Sequence, residues 1–284
     1  MATNAYELGG RSLNRMGFGA MQLPGPGVWG PPRDHEEAIA VLRRAVELGV
    51  NHIDTAQYYG PDVANELIRE ALHPYADDLF IVTKVGALRG DDGSWYTAAE
   101  PAQLRSAIED NLRTLGLERI HNVHYRVMPG ADIEAGLIEL AAMRDEGKIE
   151  NIGISNATAE QISAALELTP LASVQDKFSV LDREFAAELE LCRHRGLAFV
   201  PFFPLGSAFQ GGPAKLAENE VLQRIGAAHD ATPAQIALAW LLEQGEHVLL
   251  IPGTGSLAHL EENMAAAELE LTAEELGELD ALSG

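Results

Sequence analysis

From "MGFGAM" onward the chain alternates short apolar runs with amphipathic stretches of helical period, eight times over. The runs read "MGFGAM", "VNHID", "LFIVTKV", "IHNVHYRV", "IENIGIS", "LASVQ", "LAFVPFF" and "HVLLIPG". Between them lie stretches such as "DHEEAIAVLRRAVELGV" and "EPAQLRSAIEDNLRTLGL", whose apolar residues recur at helical spacing. Strand–helix alternation implies a parallel sheet with crossover helices. Eight such units predict closure into a (β/α)8 barrel rather than an open sheet. Two elements lie outside the repeat. "ELGGRSLNRMGFG" predicts a short N-terminal hairpin turning at Gly9-Gly10, and "TAEELGELDAL" an extra C-terminal helix. Thr158 and Thr232 stand where helices open, the second followed by Pro233 at the first helical position. At 284 residues the chain exceeds the usual domain size, but no low-complexity linker divides it. One barrel domain over residues 1–284 is the expectation.

A barrel confines the search for chemistry to the C-terminal ends of its strands. Those ends read "GAMQ", "DTAQYYG", "TKVG", "HYRVM", "SN", "QDKF", "FFPLG" and "PGTGS". Asp54, Tyr59 and Lys84 come from two neighbouring strands. A tyrosine hydroxyl is too weak an acid for neutral pH by itself. An ammonium beside it stabilises the phenolate, and a carboxylate keeps that ammonium charged and oriented. Such a trio suits proton delivery to an alkoxide formed when a cofactor gives hydride to a carbonyl. Each residue alone has a plainer reading: a capping carboxylate, a packed ring, a structural ion pair. Their joint placement at strand ends favours the catalytic one.

Composition narrows the classes further. The formal charge is −23, from 43 acidic against 20 basic residues, which makes nucleic acid and anionic membranes poor partners. No apolar run is long enough to span a bilayer, the N-terminus lacks a secretory pattern, and the single Cys192 has no partner for an internal disulfide. A cytoplasmic protein is expected. The sequence lacks G-x-G-x-x-G after a strand, G-x-x-x-x-G-K-[ST] and G-x-S-x-G. "GFGAMQ" starts like a dinucleotide fingerprint but has no third glycine. The nine histidines show no metal-ligand spacing, so no metal is expected.

These motifs resemble the aldo-keto reductases along nearly the whole chain. "IDTAQYYG" is similar to that family's Asp–Tyr motif, "VTKVG" to its Lys strand and "GISN" to its carboxamide-binding strand end. "FFPLG" and "IPGTGSLAHLEEN" are similar to its cofactor loops, in the same order. The resemblance implies a barrel that binds NADPH in extended form without a Rossmann domain. It makes Tyr59 the proton donor, with Lys84 lowering its pKa and Asp54 supporting Lys84. Ser155, Asn156 and Gln175 would hold the nicotinamide carboxamide, Phe178 would stack on the ring, and Gly19, Ala20 and Met21 would surround it. Leu205 and Gly206 would follow the pyrophosphate. Gly253, Thr254 and His259 would approach the adenosine phosphate, and Glu262 and Asn263 the adenine.

The chain departs from the family pattern twice. The usual fourth-strand His position falls on Arg126, with His124 two residues earlier on the same strand face and Tyr125 between them. Arg126, always charged, is the expected donor to the oxyanion, with His124 the alternative. The cofactor loop also lacks the usual basic residues around the 2′-phosphate. Backbone N–H groups at Gly253–Ser256 remain as phosphate donors, so NADPH is expected, with NADH possible. The chain is most similar to a bacterial branch that includes pyridoxal reductases. Trp29, Trp95, Tyr96, Phe202 and Phe203 offer a pocket for a flat ring, and pyridoxal is the leading substrate. Two other readings stand beside it: a specialised biosynthetic oxidoreductase acting on a sugar or polyketide-like carbonyl, and a cofactor-binding regulatory protein with little turnover. A barrel closes its core within one chain, so a monomer or weak homo-oligomer is expected.

Overall fold

A computed structural model describes residues 5–207 and 211–282. The chain opens with the hairpin β1 (Ala5–Leu8) and β2 (Arg11–Asn14), turning through Gly9 and Gly10, both at positive φ. The repeat follows as β3 (Phe18–Gly19), α1 (His35–Glu47), β4 (His52–Asp54), α2 (Val63–Leu72), β5 (Phe80–Arg89), β6 (Trp95–Ala98), α3 (Pro101–Leu115), β7 (Ile120–Arg126) and α4 (Ile133–Asp145). It continues as β8 (Ile149–Ser155), α5 (Ala159–Leu168), β9 (Ser173–Gln175), α6 (Ala186–Arg195) and β10 (Ala198–Phe199). The last helices are α7 (Gly212–Glu218), α8 (Glu220–Ala228), α9 (Pro233–Glu243), α10 (Leu257–Ala265) and α11 (Ala273–Asp280).

Strands β3, β4, β5, β7, β8, β9 and β10 form a parallel sheet in that order. The segment 247–251 joins its two edges. Phe199 N–H donates to His247 O at 2.8 Å and Leu249 N–H to Phe199 O at 2.9 Å; on the other side Gly17 N–H donates to Leu250 O and Leu250 N–H to Arg15 O, both at 2.8 Å. The sheet closes as the expected barrel. Thr158 and Thr232 cap α5 and α9 in reciprocal capping boxes with Gln161 and Gln235, as their sequence positions predict.

The main core lies between the strands' outer faces and the helices. Val123, Tyr125, Ile152 and Ile154 meet Leu137, Leu140 and Trp240 there, all essentially without exposure. The barrel interior is more polar. Strand register puts Lys84, His124 and Ser173 in one inward row, and Arg126, Ser155 and Gln175 in the row above it. The polarity of "HNVHYRV" is thereby explained, since its alternate residues Asn122, His124 and Arg126 fill the barrel rather than the helical core.

Two parts of the fold were not foreseen. Strand β5 runs on past the barrel to Arg89 and folds back antiparallel onto β6 through a turn at Gly90–Ser94. Helices α7 and α8 occupy "GGPAKLAENEVLQRIGAA", which the eightfold repeat leaves unassigned. Among the described residues no helix is long and apolar enough to cross a membrane.

Candidate active site

The turn after β4 sets the first residue of the site. Asp62 N–H donates to Gln57 O at 2.7 Å, and Gln57 Nε2 returns a bond to Asp62 Oδ1 at 2.9 Å. Gly60 has φ 109°, and a Cβ there would lie 2.4 Å from Val63 Cβ, so this turn admits only glycine. Tyr59 is thereby delivered to the barrel mouth with its side chain buried. Behind it, Thr55 bonds Asn65 at 2.9 Å, Asn65 bonds Asn111 at 3.0 Å and Thr83 bonds Asn111 at 2.6 Å. This buried network braces the outward faces of β4 and β5 beside Asp54 and Lys84. Sequence reading missed it, because isolated Thr and Asn residues carry no spacing signal.

Asp54, Tyr59, Lys84, Arg126 and Gln175 share one cavity of about 330 Å³. Gly19, Met21, Phe202, Phe203, Leu205, Gly206, Gly253 and Thr254 complete most of its wall. Lys84 Nζ donates to Asp54 Oδ1 and, at 3.0 Å, to Thr55 O. Gln175 Nε2 donates to Asp54 Oδ2 at 2.8 Å, so the carboxylate is held from two sides. The ammonium lies 4.9 Å from the centroid of the Tyr59 ring.

The electrostatics differ from the sequence expectation. Burial and the Asp54 carboxylate push the Tyr59 phenol above its ordinary range, and the neighbour that pulls it back is Arg126. Lys84 is committed to Asp54 and Thr55, so its charge is largely met before it reaches the phenol. Arg126 has no such commitment. Among the described residues no carboxylate pairs with it, and its buried Nε has no hydrogen-bond partner. Its guanidinium lies 5.7 Å from the Trp95 ring centroid. A protonated phenol, a fixed ammonium and an unpaired guanidinium facing one cavity can together stabilise a developing oxyanion and protonate it.

Other expected residues sit elsewhere. His124 is buried inside the barrel, bonded through Nε2 to Ser173 Oγ at 2.9 Å and outside the cavity wall. Burial, then Lys84, lowers its pKa to about 3, so it is a neutral packing residue and not a group of the site. Phe178 does not present its ring to the cavity. It is 2 % exposed, stacks on Trp240 at 5.8 Å and meets Phe199 edge-on, because β-strand alternation turns it into the helical core. Phe202 and Phe203 supply the cavity's aromatic wall instead.

Ala20 is fully buried behind Gly19 and Met21. Ser155 is buried with Oγ unpartnered, and Asn156 follows at φ 57° with its N–H on Gln175 O at 3.3 Å. His259, Glu262 and Asn263 lie on α10, away from this cavity. His259 is exposed, Asn263 is buried, and Glu262 accepts from the Thr232 hydroxyl at 2.5 Å, tying α10 to the cap of α9. Neither Trp29 nor Trp95 lines this cavity; Arg89 packs between them, 5.2 and 4.5 Å from their ring centroids. Among the described residues no group of His, Cys, Asp and Glu side chains could hold a metal ion.

Comparison with known proteins agrees with this geometry. The model of the aldo/keto reductase family matches residues 15–283. The chain is 50% identical to pyridoxine 4-dehydrogenase of Escherichia coli over 290 aligned positions, covering 100% of this chain and 99% of the relative. Among solved structures it is similar to a thermostable aldo-keto reductase in complex with the inhibitor epalrestat, with 30% identity, TM-score 0.84 and coverage of 98% and 99% of the two chains. A Klebsiella pneumoniae aldo-keto reductase in complex with NADPH superposes with TM-score 0.84 at 25% identity, over 99% of this chain and 95% of that one. With a family match across nearly its whole length, the chain belongs to the aldo/keto reductase family.

Proposed function

We propose that this protein reduces an aldehyde to a primary alcohol with NADPH, with pyridoxal as the substrate and pyridoxine as the product. The observation that carries the proposal is the convergence on one cavity of Tyr59, the Lys84–Asp54 pair and Arg126, which no carboxylate among the described residues pairs. The pyridoxine 4-dehydrogenase relative supports the substrate, and the NADPH-bound Klebsiella neighbour supports the cofactor.

The residues present fit the cofactor. The orphaned, buried Ser155 Oγ lies beside Gln175 in register and suits a carboxamide. Phe202 offers a ring face, and Gly19 and Gly253 approach so closely that a Cβ on Gly253 would lie 2.3 Å from Gly19 O, leaving bare backbone along the wall. Backbone N–H groups at 253–256, ahead of the nine-residue α10, are the proposed phosphate contacts, with Leu205 and Gly206 opposite. His259, Glu262 and Asn263 remain proposals for the adenosine end.

When bound, NADPH supplies the hydride that goes to the carbonyl carbon. Tyr59 gives its hydroxyl proton to the carbonyl oxygen, so that aldehyde, hydride and proton sum to the alcohol. Arg126 sets its positive charge against the phenolate left behind, with a smaller share from Lys84, and Asp54, gripped by Lys84 and Gln175, holds that ammonium in place. Arg126 donates to the oxygen as it becomes negative. The setting proposed is the cytoplasm, where the lone Cys192 stays reduced.

The test is NADPH oxidation with pyridoxal by the wild type and by Tyr59→Phe. Loss of the general acid should lower kcat by about 10²- to 10⁴-fold with the fold intact. Full turnover by Tyr59→Phe would remove Tyr59 from the mechanism, and NADH serving better than NADPH would overturn the cofactor assignment.

A further inference from the structure

We propose that Arg126 selects substrates that carry an anionic oxygen next to the reacting aldehyde, namely ring aldehydes with an ionised hydroxyl at the ortho position. The inference deepens the reductase reading and rests on it.

The first ground is charge. Acidic residues outnumber basic ones by 43 to 20, yet the guanidinium on the cavity wall is paired with none of them among the described residues. The other two cations nearby are committed. Lys84 binds Asp54, and Arg89 donates to Gly93 O at 2.9 Å and Gly27 O at 3.3 Å. A partly buried cation facing a cavity without a counter-charge is costly, and an anionic ligand removes the cost. An aldehyde oxygen is neutral before reaction and cannot do this alone.

The second ground is shape. Arginine presents its donors as a planar fork that engages two oxygens side by side. Trp95 packs against this guanidinium, and its own ring is held by Arg89 and by an edge contact to Tyr58 at 5.3 Å. The guanidinium thus rests against a ring that is itself held in place. One tine meets the aldehyde oxygen beside Tyr59, and the other is left for an oxygen on the adjoining ring carbon.

The third ground is the rest of the wall. Phe202 and Phe203 are aromatic, and about 330 Å³ is near the lower end for ligand pockets. With a nicotinamide taking its share, the space left suits a single ring. An aliphatic 2-oxo acid also sets an anion beside a carbonyl, but it makes no use of an aromatic wall, so the ortho-phenolate is the better match, and an aromatic 2-oxo acid is the rival to test.

The experiment compares 5-nitrosalicylaldehyde, ionised at neutral pH, with 2-methoxy-5-nitrobenzaldehyde, in which the same oxygen is capped, and with phenylglyoxylate. The wild type should prefer the ionised aldehyde by about 10- to 100-fold in kcat/KM, the worth of one charge-assisted hydrogen bond. This runs against intrinsic reactivity, since a phenolate deactivates its neighbouring carbonyl. Arg126→Gln should abolish the preference, with the loss falling mainly on KM because the oxygen is charged before reaction. Arg126→Lys, which keeps the charge without the fork, should retain only part of it. No preference in the wild type, or a preference that survives in Arg126→Gln, overturns the inference while leaving the reductase reading intact; a kcat loss shared by both aldehydes is the separate effect of removing the oxyanion donor. Preference for phenylglyoxylate overturns it in favour of 2-oxo acids. Failure of the reductase reading would appear separately, as Tyr59→Phe with undiminished turnover.

Discussion

Asp176 follows Gln175 in the chain but faces away from the cavity, fully buried beneath the loop that carries Asn156. Its Oδ1 accepts from Ala157 N–H at 3.2 Å, while Oδ2 has no partner. Burial, with a smaller push from Glu188, raises its pKa to about 7 against the pull of the Ala157 and Asn156 N–H groups. An unfolded aspartate titrates near 4, so the folded chain holds the extra proton between about pH 4 and pH 7. Stability from this residue is therefore highest at low pH, falls as pH rises through that window and is level above it. Asp176→Asn keeps the acceptor and cannot ionise. It should resist urea better than the wild type near pH 8, with the gap closing toward pH 4; a gap independent of pH would remove Asp176 as its source. Sequence inspection passes over this residue, because nothing in "VQDKF" marks its second oxygen as buried and unmet.

The strand-end segments "QDKF" and "FFPLG" each offered an aromatic to the cofactor, and only element geometry separates them. Phe178 leaves β9 on the helix-facing side and packs on Trp240 of α9. Phe202 follows β10 at the mouth and stays half-buried on the cavity wall. Phe178→Ala should cost about 3–5 kcal/mol in denaturant unfolding, as a large buried ring does, with NADPH affinity of the folded fraction little changed. Phe202→Ala should do the reverse, sparing stability and weakening binding of cofactor and aromatic aldehyde. NADPH affinity that falls in the first variant and not the second would restore Phe178 to the site. The β5–β6 hairpin makes the same point. Trp95 and Tyr96 read as loop aromatics, but pairing with β5 fixes Trp95 against Arg89 and Arg126.

At the scale of the molecule the barrel has to be closed where the chain's beginning meets its end. Arg15, buried just before β3, does much of this. Its Nη2 donates to Leu242 O and, at 2.7 Å, to Gly245 O, and its Nε donates to Val248 O at 3.2 Å. Burial lowers its pKa, an effect offset in part by Glu243 and Glu246. Arg15→Met would strand the Leu242 and Val248 carbonyls, each worth about 1–3 kcal/mol when buried and unmet, while Gly245 O keeps the Val248 N–H at 3.1 Å. A fall in the urea midpoint with an unchanged slope is expected. No change in the midpoint would mean that the segment 247–251 closes the barrel without this tie.

The sequence by itself determined the repeat, the barrel, the helix caps and the identity of Asp54, Tyr59 and Lys84. These depend on local period, on capping chemistry and on position along the chain, all of which a linear string records. It also offered Arg126 as the oxyanion donor with His124 as the alternative. Only the tertiary structure separated them, since two residues along one strand differ by a layer of the barrel: one side chain is sealed against Ser173, the other opens on the cavity. The same holds for Phe178 and Phe202, for the Thr55–Asn65–Asn111–Thr83 network, and for Arg126 as the cation that offsets part of the rise in the Tyr59 pKa. Each is a matter of which side chains from distant strands meet and how completely water is excluded there. That is a property of packing in three dimensions, and no spacing along the chain encodes it.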